Sequence, residues 1–153
     1  MKYIKTYEAL NGITFKEWLK LNPQDTNTTK INCSDSNLID LNGIEKFINL
    51  KYLYCGNNQL TQLPDLSNLN NLTTLSCSNN KLTQLPDLSN LSNLNYLSCS
   101  NNKLTQLPDL YNLSNLSELY CYNNQLPYND LTEYLEWHKN KYPWIWNAKN
   151  YNM

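Results

Sequence analysis

The chain has 153 residues and a net charge of −1 from twelve basic and thirteen acidic side chains, with every basic one a lysine and no Arg or Val anywhere. That length fits one domain, since domains cluster at about 100–150 residues. Without guanidinium groups for bidentate contacts, and without a positive excess, the sequence gives no reason to expect a nucleic-acid partner. Leu and Asn contribute 28 residues each, a bias that signals a repeated pattern, while the Asn, Lys, Tyr and Ile richness reads as translation of an AT-rich genome.

Lys2 and Lys5 are followed by no apolar stretch, and no apolar run of about 18 or more residues occurs later. A secreted or membrane-spanning product is therefore not expected. Five cysteines, an odd number, would leave one over in a fully paired framework, so the expected location is the reducing cytoplasm.

The first element predicted is a short helix. Thr14-Phe15-Lys16-Glu17 has capping-box spacing, and Phe15, Trp18 and Leu19 fall on one side before Asn22-Pro23 ends the run. Residues 1–27 thus read as an N-terminal cap that covers the first repeat of the next segment.

Cys33, Cys55, Cys77, Cys99 and Cys121 then recur every 22 residues, a period within the range of solenoids and arrays. With Leu50, Leu72, Leu94 and Leu116 as position 1, the pattern is L-x-x-L-x-C-x-x-N-x-L-x-x-L-P-x-L-x-x-L-x-N. Positions 4 and 6 alternate with polar neighbours, the period of a strand with one buried face. Asn58, Asn80, Asn102 and Asn124 at position 9 fall where the chain leaves that strand, and their amides can both donate to and accept from unpaired backbone groups. Leu at positions 11, 14, 17 and 20 points inward on the return. Pro64, Pro86 and Pro108 discourage a helix there, so short turns or single 3₁₀ turns are expected, capped by Asp65, Asp87 and Asp109. Gln62, Gln84 and Gln106 are candidates for a second polar ladder. The first repeat is degenerate: Thr28 replaces the leading Leu and Ser36 the ladder Asn. One such repeat cannot bury its apolar face alone, so stacked copies and capping ends are required.

This pattern resembles the leucine-rich repeat family, with LxxLxCxxNxL as its strand-and-turn signature and Cys where a third Leu is common. The 22-residue length and the LSNLxNL connector look most like internalin-type repeats. The resemblance covers residues 28–126 and implies an α/β fold: a right-handed leucine-rich-repeat solenoid with five short parallel strands on its concave face. Turns or 3₁₀ segments would form the convex side, with helical caps at both ends. The whole of 1–153 is read as a single domain, 127–153 being the C-terminal cap. There Asn129 to His138 reads as a helix with Leu131, Tyr134, Leu135 and His138 on one face, followed by the aromatic tail Trp144-Ile145-Trp146 folding back over the last repeat.

Little in the sequence points to chemistry. Spacing of 22 places the cysteines in one buried column instead of around a point, and parallel Cβ vectors would hold the sulfurs side by side. His138 is the only histidine and reads as a surface or cap residue at a helix end. Three Gly at 12, 43 and 56 make no phosphate loop. No cofactor, no metal and no enzymatic activity are expected. Six N-x-S/T matches follow from an Asn- and Ser-rich composition.

What remains is the outward side of the strands, which the family resemblance makes the concave face and the usual docking site. Position 3 gives Lys30, Tyr52, Thr74, Tyr96 and Glu118; position 5 gives Asn32, Tyr54, Ser76, Ser98 and Tyr120; position 7 gives Ser34, Gly56, Ser78, Ser100 and Tyr122. Tyrosines gather at both sides of a small, polar middle, and tyrosine offers contact area with little rotamer entropy to lose. Tyr52, Tyr54, Tyr96, Glu118, Tyr120 and Tyr122 are the candidate partner-binding residues. The expected function is a non-catalytic module binding a protein or peptide, not nucleic acid or membrane, in a monomer or weak homo-oligomer. Two alternatives are a secreted internalin-like adhesion or effector protein, and the recognition subunit of a ubiquitin-ligase-type assembly.

Overall fold

The computed structural model describes residues 11–143. Five three-residue strands, β1 (Lys30–Asn32), β2 (Tyr52–Tyr54), β3 (Thr74–Ser76), β4 (Tyr96–Ser98) and β5 (Glu118–Tyr120), form one parallel sheet in chain order. Register follows the repeat: Ile31 pairs with Leu53, Leu53 with Leu75, Leu75 with Leu97 and Leu97 with Leu119. The result is a leucine-rich-repeat solenoid whose core is a set of parallel columns. Leu53, Leu75 and Leu97 are fully buried, as are all five cysteines. Leu60, Leu66 and Leu69 of one return arm, and their counterparts Leu82, Leu88 and Leu91 in the next, close the core from the other side.

Each chain exit from a strand uses an Asn or Asp in the left-handed region: Asp35, Asn57, Asn79, Asn101 and Asn123 have φ of 53–56°. These residues tolerate that region because their short polar side chains offset its strain. The repeat pattern alone puts the turn one residue later, at the ladder position. It does not reveal that each Asn-Asn pair divides the work, the first residue turning the chain and the second bonding it.

The return arms carry the expected single turns. Asp65 accepts from the Ser67 N–H at 2.8 Å, Asp87 from Ser89 at 2.9 Å and Asp109 from Tyr111 at 2.9 Å. Bonds of the i→i+3 type come next, such as Leu69 N–H to the Leu66 carbonyl at 2.9 Å. A 3₁₀ helix is present at Ile44–Lys46.

The second polar ladder differs from expectation. Gln62, Gln84 and Gln106 are exposed; each precedes an inward Leu in extended backbone, so its side chain turns to solvent. The ladder is instead made by Asn71, Asn93 and Asn115 at position 22, which donate to the carbonyls of Ile48, Asn70 and Ser92 at 3.1, 2.8 and 2.8 Å.

Both ends are covered. Helix α1 (Phe15–Leu21) begins on the capping box: the Glu17 N–H bonds Thr14 Oγ1 at 3.2 Å, and the Thr14 N–H returns to Glu17 Oε2 at 2.8 Å. Phe15 stacks on Trp18 at 5.6 Å and meets the edge of Phe47 at 6.3 Å, sealing the first repeat. Trp18 Nε1 donates to Ser36 Oγ at 3.1 Å, so the residue that replaces the first ladder Asn is tied to the cap.

Helix α2 (Leu131–Lys141) starts at Asp130, whose carboxylate accepts from the Glu133 N–H at 2.9 Å. Two expectations need correction here. Leu135 is 36% exposed, because the packed face is centred on Tyr134 and Trp137, whose rings meet Tyr128 at 5.1 and 5.2 Å. His138 is not a surface residue but 8% exposed, stacked on Tyr111 at 5.6 Å and flanked by Tyr142 at 4.9 Å. The Trp144-Ile145-Trp146 segment lies outside the described residues.

Candidate interaction surface

The strands alternate, so the same geometry that buries positions 4 and 6 turns positions 3, 5 and 7 to the other side of the sheet. Asparagine ladders hold the strand ends in place. Asn58 Nδ2 donates to the Cys33 and Cys55 carbonyls at 2.9 and 3.0 Å, while its Oδ1 accepts from Leu38 N at 2.9 Å. Asn102 and Asn124 repeat the arrangement on Cys77 with Cys99 and on Cys99 with Cys121.

Of the six candidate residues, the structure joins three in direct contact. The Tyr96 and Tyr120 rings lie 5.6 Å apart with a 46° tilt, and the Tyr120 hydroxyl donates to Glu118 Oε2 at 3.1 Å. That bond to a carboxylate raises the Tyr120 pKa, with the Glu118 charge adding to the effect. Tyr122 is 45% exposed, and Tyr52 and Tyr120 are each 40% exposed. Tyr52 and Tyr54 stand apart on β2, separated from β4 by Thr74 and Ser76 of β3. Tyr54 is half-buried and carries Lys30 Nζ at 5.4 Å from its ring centroid.

The floor between the tyrosines is less open than the alternation implies. Ser98 and Ser100 are buried, and Ser78 Oγ and Ser98 Oγ share a hydrogen bond of 2.6 Å. Gly56 is the smallest residue of position 7, and a Cβ there would stand 3.2 Å from the Ser78 carbonyl oxygen.

A second concavity is hidden from sequence reasoning because it forms between distant segments. A cleft of about 340 Å³ lies between the last return arm and α2, lined by residues that include Gln106, Asp109, Tyr128, Trp137, His138 and Lys141. Lys141 Nζ sits 4.4 Å above the Trp137 ring. The only signal for it is the density of aromatics after Leu126.

The thiols offer little reactivity. Burial raises the pKa of Cys33 and Cys121 to about 12, and pushes Cys55, Cys77 and Cys99 well up. All five are free. Among the described residues no group of three or more His, Cys, Asp or Glu is placed to hold a metal, and no helix is long and apolar enough to cross a membrane.

A solenoid of near-identical coils with an aromatic-flanked sheet defines a class of binding scaffold. Residues 48–92, 70–112 and 92–135 match the family model for leucine-rich repeats in two copies; the chain belongs to the leucine-rich repeat family, and its repeats are internalin-like. Among solved structures it is similar to the functional domain of InlJ from Listeria monocytogenes, which includes a cysteine ladder. That match has 42% identity and a TM-score of 0.62, covering 69% of this chain and 23% of that one. Internalin C2 from the same species matches at 31% identity and TM-score 0.58, covering 67% of this chain and 46% of that one. YopM from Yersinia enterocolitica matches at 28% identity and TM-score 0.62, over 75% and 28%. The chain therefore spans less than half the length of each. No curated protein sequence matches it.

Proposed function

We propose that the protein is a non-catalytic interaction module that binds a protein or peptide on its concave face through Tyr52, Tyr54, Tyr96, Glu118, Tyr120 and Tyr122. Leucine-rich repeat folds of this kind generally serve as protein-interaction scaffolds. The observation that carries the reading is the exposure of Tyr52, Tyr120 and Tyr122 on one side of the sheet, at 40–45% each, around a floor of short polar side chains. Rigid aromatics around small residues are the composition of binding hot spots. Burial keeps the five thiols protonated, so the cysteine column offers no thiolate nucleophile. The intracellular location expected from the unpaired cysteines belongs to the same proposal, and cell fractionation tests it.

The test is affinity for a captured partner. Tyr54→Ala together with Tyr120→Ala should weaken binding at least about tenfold, since truncating a hot-spot aromatic costs about 2 kcal/mol or more. Unchanged affinity would remove the concave face from the reading.

The likeness to Listeria internalins favours one further reading, a protein that works outside its own cell. Detection of the native protein in the culture medium, and its absence from the cell, would choose that reading over the first.

A further inference from the structure

The concave face carries charge only at its ends. Among positions 3, 5 and 7, Lys30 on β1 and Glu118 on β5 are the two ionic side chains, with Tyr, Thr, Ser, Asn and Gly between them. Both are exposed, and neither has an ion-pair partner among the described residues. Each is steadied by a tyrosine instead: Lys30 Nζ rests 5.4 Å from the Tyr54 ring centroid, and Glu118 accepts the Tyr120 hydroxyl at 3.1 Å.

Register makes these ends of a single row. Lys30 pairs with Tyr52, Tyr52 with Thr74, Thr74 with Tyr96 and Tyr96 with Glu118. Four strand spacings of about 4.8 Å separate the ends by about 19 Å, a distance covered by about six residues of extended chain at 3.3 Å each. A lone charge of each sign attracts no polyanion. A second copy turned face to face would also supply both charges, but the exposed Tyr52 and Tyr120 stand on either side of the buried Ser98 and Ser100, a relief that a narrow chain fills more readily than an identical tyrosine-bearing face. What does fit a narrow row with opposite charges at its ends is an extended chain that carries the complementary pair.

Building on the concave-face reading, we propose that this row seats an extended peptide segment of a partner protein, with a basic side chain at Glu118 and an acidic one at Lys30. The two lie about six residues apart, and uncharged side chains between them rest on Tyr52 and Tyr96. Ion pairs closed on a tyrosine surface lose water on binding, where close charge pairs couple far more strongly than at an open rim.

The probe is a random twelve-residue peptide library displayed on phage, selected against the full chain, with selected peptides then synthesised and their affinities measured. The expected peptides carry a Lys or Arg and an Asp or Glu about five to seven residues apart. Exchanging those two residues within a peptide should weaken binding about tenfold or more, and the K30E/E118K protein should restore it. If charge exchange has no effect while Tyr54→Ala and Tyr120→Ala still abolish binding, the ionic ends are wrong and the concave face stands. If selected peptides ignore both the charges and the tyrosines, both readings fall. Failure to select any peptide, or a concentration-dependent dimer that K30E alone disperses, also overturns the proposed occupant.

Discussion

Asn80 Nδ2 donates to the carbonyl oxygens of both Cys55 and Cys77, at 3.0 Å each, and its Oδ1 accepts from Leu60 N at 3.0 Å. With a further bond to the Ser78 carbonyl at 3.3 Å, one buried amide joins two coils across four backbone groups. Replacing Asn80 by Ala strands the Leu60 N–H and leaves the Cys55 and Cys77 carbonyls with only their bonds from Asn58 and Asn102; leaving a buried group unsatisfied costs about 1–3 kcal/mol. Chemical denaturation of Asn80→Ala should show that loss, and Asn80→Asp, which keeps the acceptor for Leu60 but turns a buried carboxylate oxygen onto the carbonyls of Cys55, Cys77 and Ser78, should not recover it. A change below about 0.5 kcal/mol, typical of surface substitutions, would mean that the ladder is decorative.

The cysteine column makes a prediction with a definite sign in pH. Burial raises the thiols' folded pKa values, to about 12 for Cys33 and Cys121, above about 8.5 for an unfolded thiol. The unfolded chain therefore loses these protons first. Stability is fully present below about pH 8.5 and falls as pH rises from there toward the folded values, by about 1.4 kcal/mol per pH unit for each thiol. Thermal melts between neutral pH and about pH 11 should show that decline, and Cys77→Ala should lessen its steepness. A melting temperature flat across this range would contradict a buried, protonated column.

Reactivity provides a second view of the same column. Native, reduced protein should give little colour in an Ellman titration, and denatured protein should report five thiols. Rapid labelling of most thiols in the folded state would place them at the surface.

The C-terminal cap depends on a hydroxyl. Tyr134, 3% exposed, accepts the Leu110 N–H at 3.2 Å, which ties α2 to the last return arm. Tyr134→Phe keeps the ring packing on Tyr128 but removes the acceptor, so a loss of about 1–3 kcal/mol is expected from the stranded N–H. Hydrogen exchange should quicken first at Leu110, and unaltered exchange there would deny the link.

Most of the repeat is legible because its signals are local and recur at one spacing. The position-6 cysteines, the position-9 asparagines and the leucines of the return arms all fall where the 22-residue ruler puts them. The left-handed residue at position 8 is hidden by its neighbour: two adjacent asparagines offer the same letters for two different tasks, and only φ separates them. Gln62 makes no ladder because a long amide next to an inward Leu faces water, whereas Asn71 reaches the preceding coil. At the C-terminal cap, where no repeat enforces the pattern, periodicity sets His138 on the buried face with Tyr134 but misplaces Leu135. Helical spacing alone does not reveal that the rings of Tyr111, Tyr134 and Trp137 decide which side of α2 is buried. The candidate surface is legible as a set of outward positions, but the burial of Ser98 and the Tyr96–Tyr120 contact depend on which rotamers neighbouring strands permit.

Site-specific photo-crosslinking reports whether a partner sits on the concave face. A photoreactive amino acid placed at Tyr120 or Tyr54 on the concave face, or at Asp87 on the return side, is irradiated with the partner bound. Crosslinks are expected from the first two positions and none from Asp87. Crosslinks confined to Asp87 would place the partner on the return side and remove the concave face as its docking site.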